Sequence, residues 1–159
     1  MVRLKNRWIL FELVEDPVIQ NDQVSFPRTT FGVTEEDITS TIRQAVSVNY
    51  GDFGSGMVWS AGVKWYNPET RMGILRVPRD YLDMYLATLF FIKHINNIPC
   101  GFQIHHVSGT IIFIQKTAIQ RDADLYLQEK ARMEAKGQAY SVVDKIEASE
   151  RQIKQVSDA

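Results

Sequence analysis

Met1-Val-Arg-Leu-Lys-Asn-Arg-Trp-Ile-Leu-Phe-Glu-Leu-Val14 is the stretch that decides the fold. Trp8 to Val14 is a nearly unbroken apolar run of strand length, rich in aromatic and β-branched residues. Such a run predicts a strand buried on at least one face. Glu12 is its one charge and is expected near the solvent end. Ahead of the run, Arg3, Lys5 and Arg7 alternate with Val2, Leu4 and Asn6, so an extended chain puts all three charges on one side. No flexible linker separates them from the strand. The stretch therefore reads as a basic arm leading rigidly into a central strand. Charges held that way can meet phosphates at little ordering cost. The plainer alternative is a solvated terminus.

Length and composition bound the rest. A chain of 159 residues that is 45% hydrophobic predicts one folded domain with a tail. The formal net charge is −1. Residues 1–120 hold 11 basic and 11 acidic side chains, and residues 121–159 hold 7 and 8. Any anion-binding surface must then come from local arrangement and not from bulk charge. Cys100 is the single cysteine, so no internal disulfide forms, and no Cys/His cluster has zinc-ligand spacing. No secretory signal is visible. The apolar run 84–92 is shorter than the roughly 20 residues that span a bilayer. The expectation is a reducing compartment, cytosol or nucleus, and no membrane contact.

After the first strand, residues 15–32 carry Pro17 and Pro27 and read as a long surface loop. Thr34, with Asp37 three residues on, predicts a helix start of the capping-box kind, and Ile38, Ile42, Ala45 and Val46 fall on one face. That helix is expected to end near 49–51, before the loop Gly51-Asp-Phe-Gly-Ser-Gly56. The loop lacks the Gly-Lys-Ser/Thr of a P-loop and is followed by a strand, so a structural turn and a ligand loop both stay open. Residues 57–66 alternate as a strand, with Met57, Trp59, Ala61, Val63 and Trp65 on one face. A turn at 67–70 returns the chain as a third strand over 71–77, a hairpin. Asp80 is expected to cap a second helix over 81–96, with Leu82, Tyr85, Leu86, Leu89, Phe90 and Lys93 along its stripe. This helix is apolar over most of its circumference, which implies that it is well covered or meets a partner. A turn at 97–101 leads to a fourth strand over 102–108. A third helix then starts at Gly109-Thr110 and runs to about 136, where Gly137 breaks it. A weakly ordered tail follows.

The order strand, helix, strand, strand, helix, strand predicts an α+β, ferredoxin-like (RRM-like) split βαβ sandwich, βαββαβ, with an additional C-terminal helix. Residues 1–121 form the sandwich, and 122–159 a helical extension and tail. Many RNA-recognition motifs share this plan and stack bases on sheet aromatics. Here the third strand, Arg71-Met-Gly-Ile-Leu-Arg-Val-Pro78, has no aromatic, so a base-stacking sheet is disfavoured. His105-His106, with Cys100 nearby, is the only polar pair with catalytic potential. Adjacent strand residues point to opposite faces, which argues for one His packed and one in solvent. The residues alone give a binding module with no catalytic constellation.

Four segments resemble one family. Met1-Val-Arg-Leu-Lys-Asn-Arg-Trp-Ile-Leu-Phe-Glu12, Asn49-Tyr-Gly-Asp-Phe-Gly-Ser55, Gly73-Ile-Leu-Arg76 and Val107-Ser-Gly-Thr-Ile111 are similar, in this order, to the small Pop-five (processing-of-precursor) subunit of ribonuclease P and ribonuclease MRP, and point to a fungal member. The resemblance implies a ferredoxin-like, non-catalytic cofactor of an RNA enzyme that removes the 5′ leader of precursor tRNA, and of the related MRP particle that processes rRNA. It implies no cofactor on the protein itself, with Mg2+ used by the RNA. Implied partners are the ribonuclease P and MRP RNAs, a TIM-barrel-like subunit and other particle proteins, with precursor tRNA met indirectly. The implied location is the nucleus, mainly the nucleolus. Carried over by position, Arg3, Lys5 and Arg7 are phosphate contacts. Gly51, Gly54 and Ser55 let a loop approach RNA closely, and Ser108, Gly109 and Thr110 offer free amides at a helix start. Trp8 stands where the family usually has Tyr. After the Ser-Gly-Thr-Ile turn the family tends to have a basic residue. Ile112 and Phe113 follow here, which weakens RNA contact from that helix and suits a protein partner. The alternatives are a stand-alone small enzyme using Cys100 with His105 or His106, and a purely protein-binding module.

Overall fold

The structure, a computed structural model, describes residues 5–26, 32–57 and 60–157, with 52–57 described by their backbone alone. Along the chain run β1 (Asn6–Glu15), a short hairpin of β2 (Val18–Gln20) and β3 (Gln23–Ser25), α1 (Glu35–Met57), β4 (Gly62–Asn67), β5 (Met72–Pro78), α2 (Leu82–Phe91), β6 (His94–Ile95), β7 (Ile98–Ser108), α3 (Ile111–Ala135) and α4 (Val143–Lys154). β1 pairs antiparallel with β5 on one side and β7 on the other. The main sheet has the order β4-β5-β1-β7-β6. This is the expected ferredoxin-like plan, with the first and third strands of the βαββαβ unit in the middle.

The run that defines β1 is buried on both faces, and its period of two sorts it into two cores. Ile9, Phe11 and Leu13 meet Ile38, Ile42 and Val46 of α1 and Tyr85 and Leu89 of α2. Trp8 and Leu10 meet Trp65, Met72 and Ile74 of the sheet, Ile114 and Ala118 of α3, and Ile153 and Val156 at the end of the chain. So α1 and α2 cover one face, and α3 with α4 covers the other. α1 starts as its sequence dictates. Asp37 N donates to Thr34 Oγ1 at 3.2 Å and Thr34 N donates to Asp37 Oδ2 at 2.9 Å, a reciprocal cap. That bond from the Thr34 backbone is the main reason the Asp37 carboxyl sits below its usual range.

Several expected boundaries move. The loop over 15–32 carries the β2–β3 hairpin, and Pro27 lies outside the described residues. α1 does not stop at Asn49. Gly51 takes φ 61, ψ −143, and the helix resumes beyond that kink to Met57. Glycine permits that backbone turn without a side-chain clash. The expected loop is therefore a kink and a final helical segment. Of the strand expected over 57–66, Met57 ends α1, residues 58–59 lie outside the described set, and β4 starts at Gly62. Its register shifts between Val63 and Trp65. The bulge puts Val63 and Tyr66 against the first core and Trp65 into the second, where strict alternation predicted Val63 and Trp65 together.

α2 follows a 3-10 turn over Arg79–Tyr81, and the Asp80 side chain makes no capping bond. It ends at Phe91 because Ile92 is extended, with Asn96 and Asn97 both at positive φ closing the tight β6–β7 hairpin. β7 accordingly begins at Ile98, not at 102. Phe90 and Phe91 are exposed and not part of a buried stripe. Gly137, at φ 77, ends α3 as expected. The stretch expected to be weakly ordered carries α4, which folds back onto α3.

What holds that return is a buried polar cluster. Asn67 Nδ2 lies 3.2 Å from Asp122 Oδ1, 2.9 Å from Tyr126 Oη and 3.0 Å from Ser149 Oγ. Thr70 Oγ1 donates to the same Asp122 oxygen. One strand end, its turn, α3 and α4 are thus tied through five side chains. Burial pushes the Asp122 carboxyl above its usual range, against the hydrogen bonds that favour its charge. A raised folded value means the stabilisation is full below pH 4 and is lost as pH rises through that value. The unfolding free energy of Asp122→Asn relative to wild type should therefore improve as pH rises from about 4 through the raised folded value of Asp122, and level off above it, in denaturant titrations. Asp122→Ala leaves buried donors unpaired and should cost about 2–3 kcal/mol throughout that range.

Gly73 makes the other tight contact. It is register partner to both Phe11 and Tyr66, whose rings stack over it at 6.5 Å. A Cβ at residue 73 would stand 2.3 Å from Phe11 Cζ. Gly73→Ala should cost about 1–3 kcal/mol by overpacking, seen as a melting temperature roughly 3–10 °C lower.

Candidate nucleic-acid interface

One row across the sheet, Gly62–Arg76–Trp8–Ser108, marks the end where β1 begins. Of the expected contact residues, Lys5, Arg7, Ser108, Gly109 and Thr110 lie in this row or just beyond it. Arg3 lies outside the described residues. Lys5 is exposed, but its main chain is fixed, since Arg79 N donates to Lys5 O at 2.9 Å. Arg7 is half-buried, and Nη1 donates to Asn6 O at 3.1 Å. Its guanidinium lies against Gly109. A Cβ there would stand 3.3 Å from Arg7 Nη1. The absence of a side chain at residue 109 is what lets the cation reach the start of α3.

The turn into α3 is built by Ser108. This nearly buried side chain donates to Thr110 O at 2.9 Å and accepts from Thr110 N at 3.1 Å. The hydroxyl thus fixes the two residues that open α3. Thr110 is the N-cap and makes no side-chain capping bond, so the first amides of a 25-residue helix face outward. The positive end of that helix and Arg7 share one corner.

Gly51, Gly54 and Ser55 belong to the last part of α1. That helix starts at the far end, where Tyr66 N donates to Glu35 Oε1, and runs back along β4. Gly51 sits at the kink, and Gly54 and Ser55 lie in the helical segment after it, not in a loop. The loop expected there is a kinked helix end.

Two cations escaped the sequence reading. Arg76 lies directly across from Trp8, and Arg79 follows Pro78 with its side chain 44% exposed. Neither carries a local pattern. The β1–β5 pairing sets Arg79 opposite Lys5, with Asp80 3.5 Å from the Arg79 Nε, while Arg76 shares the face of Trp8 and not that of Lys5 and Arg7.

The catalytic alternative loses its geometry. Cys100 is buried in the first core, and burial pushes its thiol up, away from a reactive thiolate. His105 Nε2 lies 2.8 Å from Glu12 Oε2. Glu12 shares its parity with Trp8 and Leu10, so Cys100 and His105 work on opposite faces of the sheet. His105 is the extra residue of a bulge in β7, between the partners of Leu10 and Phe11. The bulge turns His105 and His106 toward the same face, contrary to simple alternation, with His105 largely covered and His106 exposed. Glu12 is accordingly a covered partner of His105 and not the solvent end of its strand.

The profile of the Rpp14/Pop5 family matches residues 7–119. The chain belongs to this family. It is 35% identical over 124 residues to the ribonuclease P/MRP protein subunit POP5 of Schizosaccharomyces pombe, covering 77% of this chain and 88% of that protein. It is 30% identical to the Saccharomyces cerevisiae subunit of the same name, over 79% of each chain. Against the Homo sapiens subunit it is 32% identical over 76% of this chain and 71% of the other. A chain of the cryo-EM structure of yeast ribonuclease MRP aligns with TM-score 0.49 and 11% identity, covering 78% of this chain and 96% of that one. The Rpp14/Pop5 match includes Arg7 and the Ser108–Gly109–Thr110 turn. The second half of α3 and all of α4 lie beyond it.

Ser108→Ala removes both bonds that shape this turn. Amide exchange at 110–113 should speed by roughly fivefold, as a drop of about 1 kcal/mol in local stability requires. Exchange in β1 should stay unchanged.

Proposed function

We propose that this chain is a non-catalytic protein subunit of ribonuclease P and ribonuclease MRP. In this role it supports 5′-leader removal from precursor tRNA, and rRNA processing in MRP, by binding and stabilising the catalytic RNA. The carrying observation is membership of a family whose members of similar length are named as subunits of those particles. The geometry that suits the role is the corner where Arg7 meets the amides opening α3. Phosphate oxygens accept from both, and a cation on a central strand loses little freedom on binding. Lys5 extends the corner, and Arg79, paired with it across the backbone, broadens it.

In this reading the metal ions of the reaction belong to the RNA, and the protein brings none. Its partners are the two RNAs, a TIM-barrel-like subunit and other particle proteins, with precursor tRNA met through the RNA. Its place is the nucleus, mainly the nucleolus.

The test is titration of the full chain with ribonuclease P RNA transcribed in vitro, repeated across salt concentrations. Replacing Lys5 and Arg7 together by Ala should make the slope of log affinity on log salt shallower by about two, one for each phosphate no longer neutralised. Melting should shift by no more than about 2 °C. An unchanged slope would remove this corner from the RNA interface.

A further inference from the structure

We propose that Phe113 is a stacking platform for an unpaired RNA base whose flanking phosphates rest on the surrounding cations. This deepens the RNA-binding reading above and rests on it. From sequence, Ile112 and Phe113 suit a protein partner in place of RNA. Their surroundings in the fold point the other way.

Phe113 is 63% exposed in the first turn of α3. Helical spacing puts it on one face with Thr110, Lys116 and Thr117. Gly109, with the Arg7 guanidinium against it, lies just before that face begins. So one exposed ring shares the first turns of α3 with the amides that open the helix and with an exposed lysine, and the Arg7 guanidinium lies against the residue just before the helix cap. The charge is of one sign. Residues 103–121 contain no Asp or Glu, while Lys116 and Arg121 are both exposed. Among the described residues, Lys5, Arg7, Lys116 and Arg121 enter no ion pair.

A protein interface is built differently. Its core is apolar, depleted of lysine, and covers about 800 Å² on each partner. Two apolar side chains in a ring of cations, amides and hydroxyls do not supply that. Aromatic rings interleaved with cations are what single-stranded RNA binds, because every base has a π-face and every nucleotide a phosphate.

The experiment compares the full chain with Phe113→Leu, Phe113→Tyr and Lys116→Ala, using ribonuclease P RNA transcribed in vitro as the probe. Leucine keeps the apolar volume and removes the π-face. Phe113→Leu should weaken binding about 5- to 20-fold with the salt slope unchanged, and Phe113→Tyr should bind within about twofold of wild type. Lys116→Ala should lower the slope by about one. Residue 113 is exposed, so equal melting temperatures check that the fold is intact. RNA binding by Phe113→Leu equal to wild type overturns the stacking role. If the leucine variant also loses a protein subunit from the particle, the surface is a protein dock. Failure of the wild-type chain to bind this RNA overturns the subunit reading and the stacking proposal together, so the two failures are told apart.

Discussion

Everything in this molecule depends on one strand being covered on both faces and paired on both edges. Trp8, Ile9, Leu10 and Phe11 are each at most 2% exposed. Burying a side chain of that size contributes about 1.5–3 kcal/mol, so these consecutive residues outweigh any single surface contact. The same strand sets the stiffness of the functional corner. Its ladder to β5 runs to Asn6 opposite Pro78, and the Arg79–Lys5 bond carries the main-chain pairing one step further. A lysine and an arginine are thereby mounted on the most constrained segment of the fold.

The covering of the second face decides where binding can occur. In a ferredoxin-like sandwich with one bare face, the sheet itself is a platform. Here α3 and α4 occupy that face, and Trp8, Trp65 and Met72 are packed beneath them. Trp8 belongs to the second core. With both sheet faces closed, the end of the sheet and the flank of α3 stay accessible. The buried Asn67–Asp122–Ser149 cluster ties α4 into this arrangement, because Asn67 bonds side chains of both α3 and α4.

The corner itself is assembled from segments far apart in sequence. Arg7 comes from β1, Gly109 from the turn after β7, and Arg79 from just past the end of β5. Antiparallel pairing lays these ends side by side, and Gly109 leaves room for the guanidinium.

Much of the fold was legible in the residues. Period-two runs, the Thr34–Asp37 cap, the paired turns and Gly137 specify which segments become strands and helices, and their order fits one sheet plan. These are local preferences, written in neighbouring side chains. The missed features are all non-local or conformational. The bulges at Val63 and His105 reverse which face a side chain sees, since one extra residue shifts a period of two. The helical segment after Gly51 depends on a kink that glycine tolerates but does not announce. The polar cluster joins residues as far as 82 positions apart. By itself, then, the sequence determined the strand that anchors the sandwich, the Lys5 and Arg7 charges at its start and the turn that opens α3. Only the tertiary structure decided that the second face is closed, that Cys100 and His105 are kept apart, and that Arg7, Arg79 and Phe113 frame one end of the sheet. Register and packing across the sheet fix those distances, and neither is encoded in any single stretch of chain.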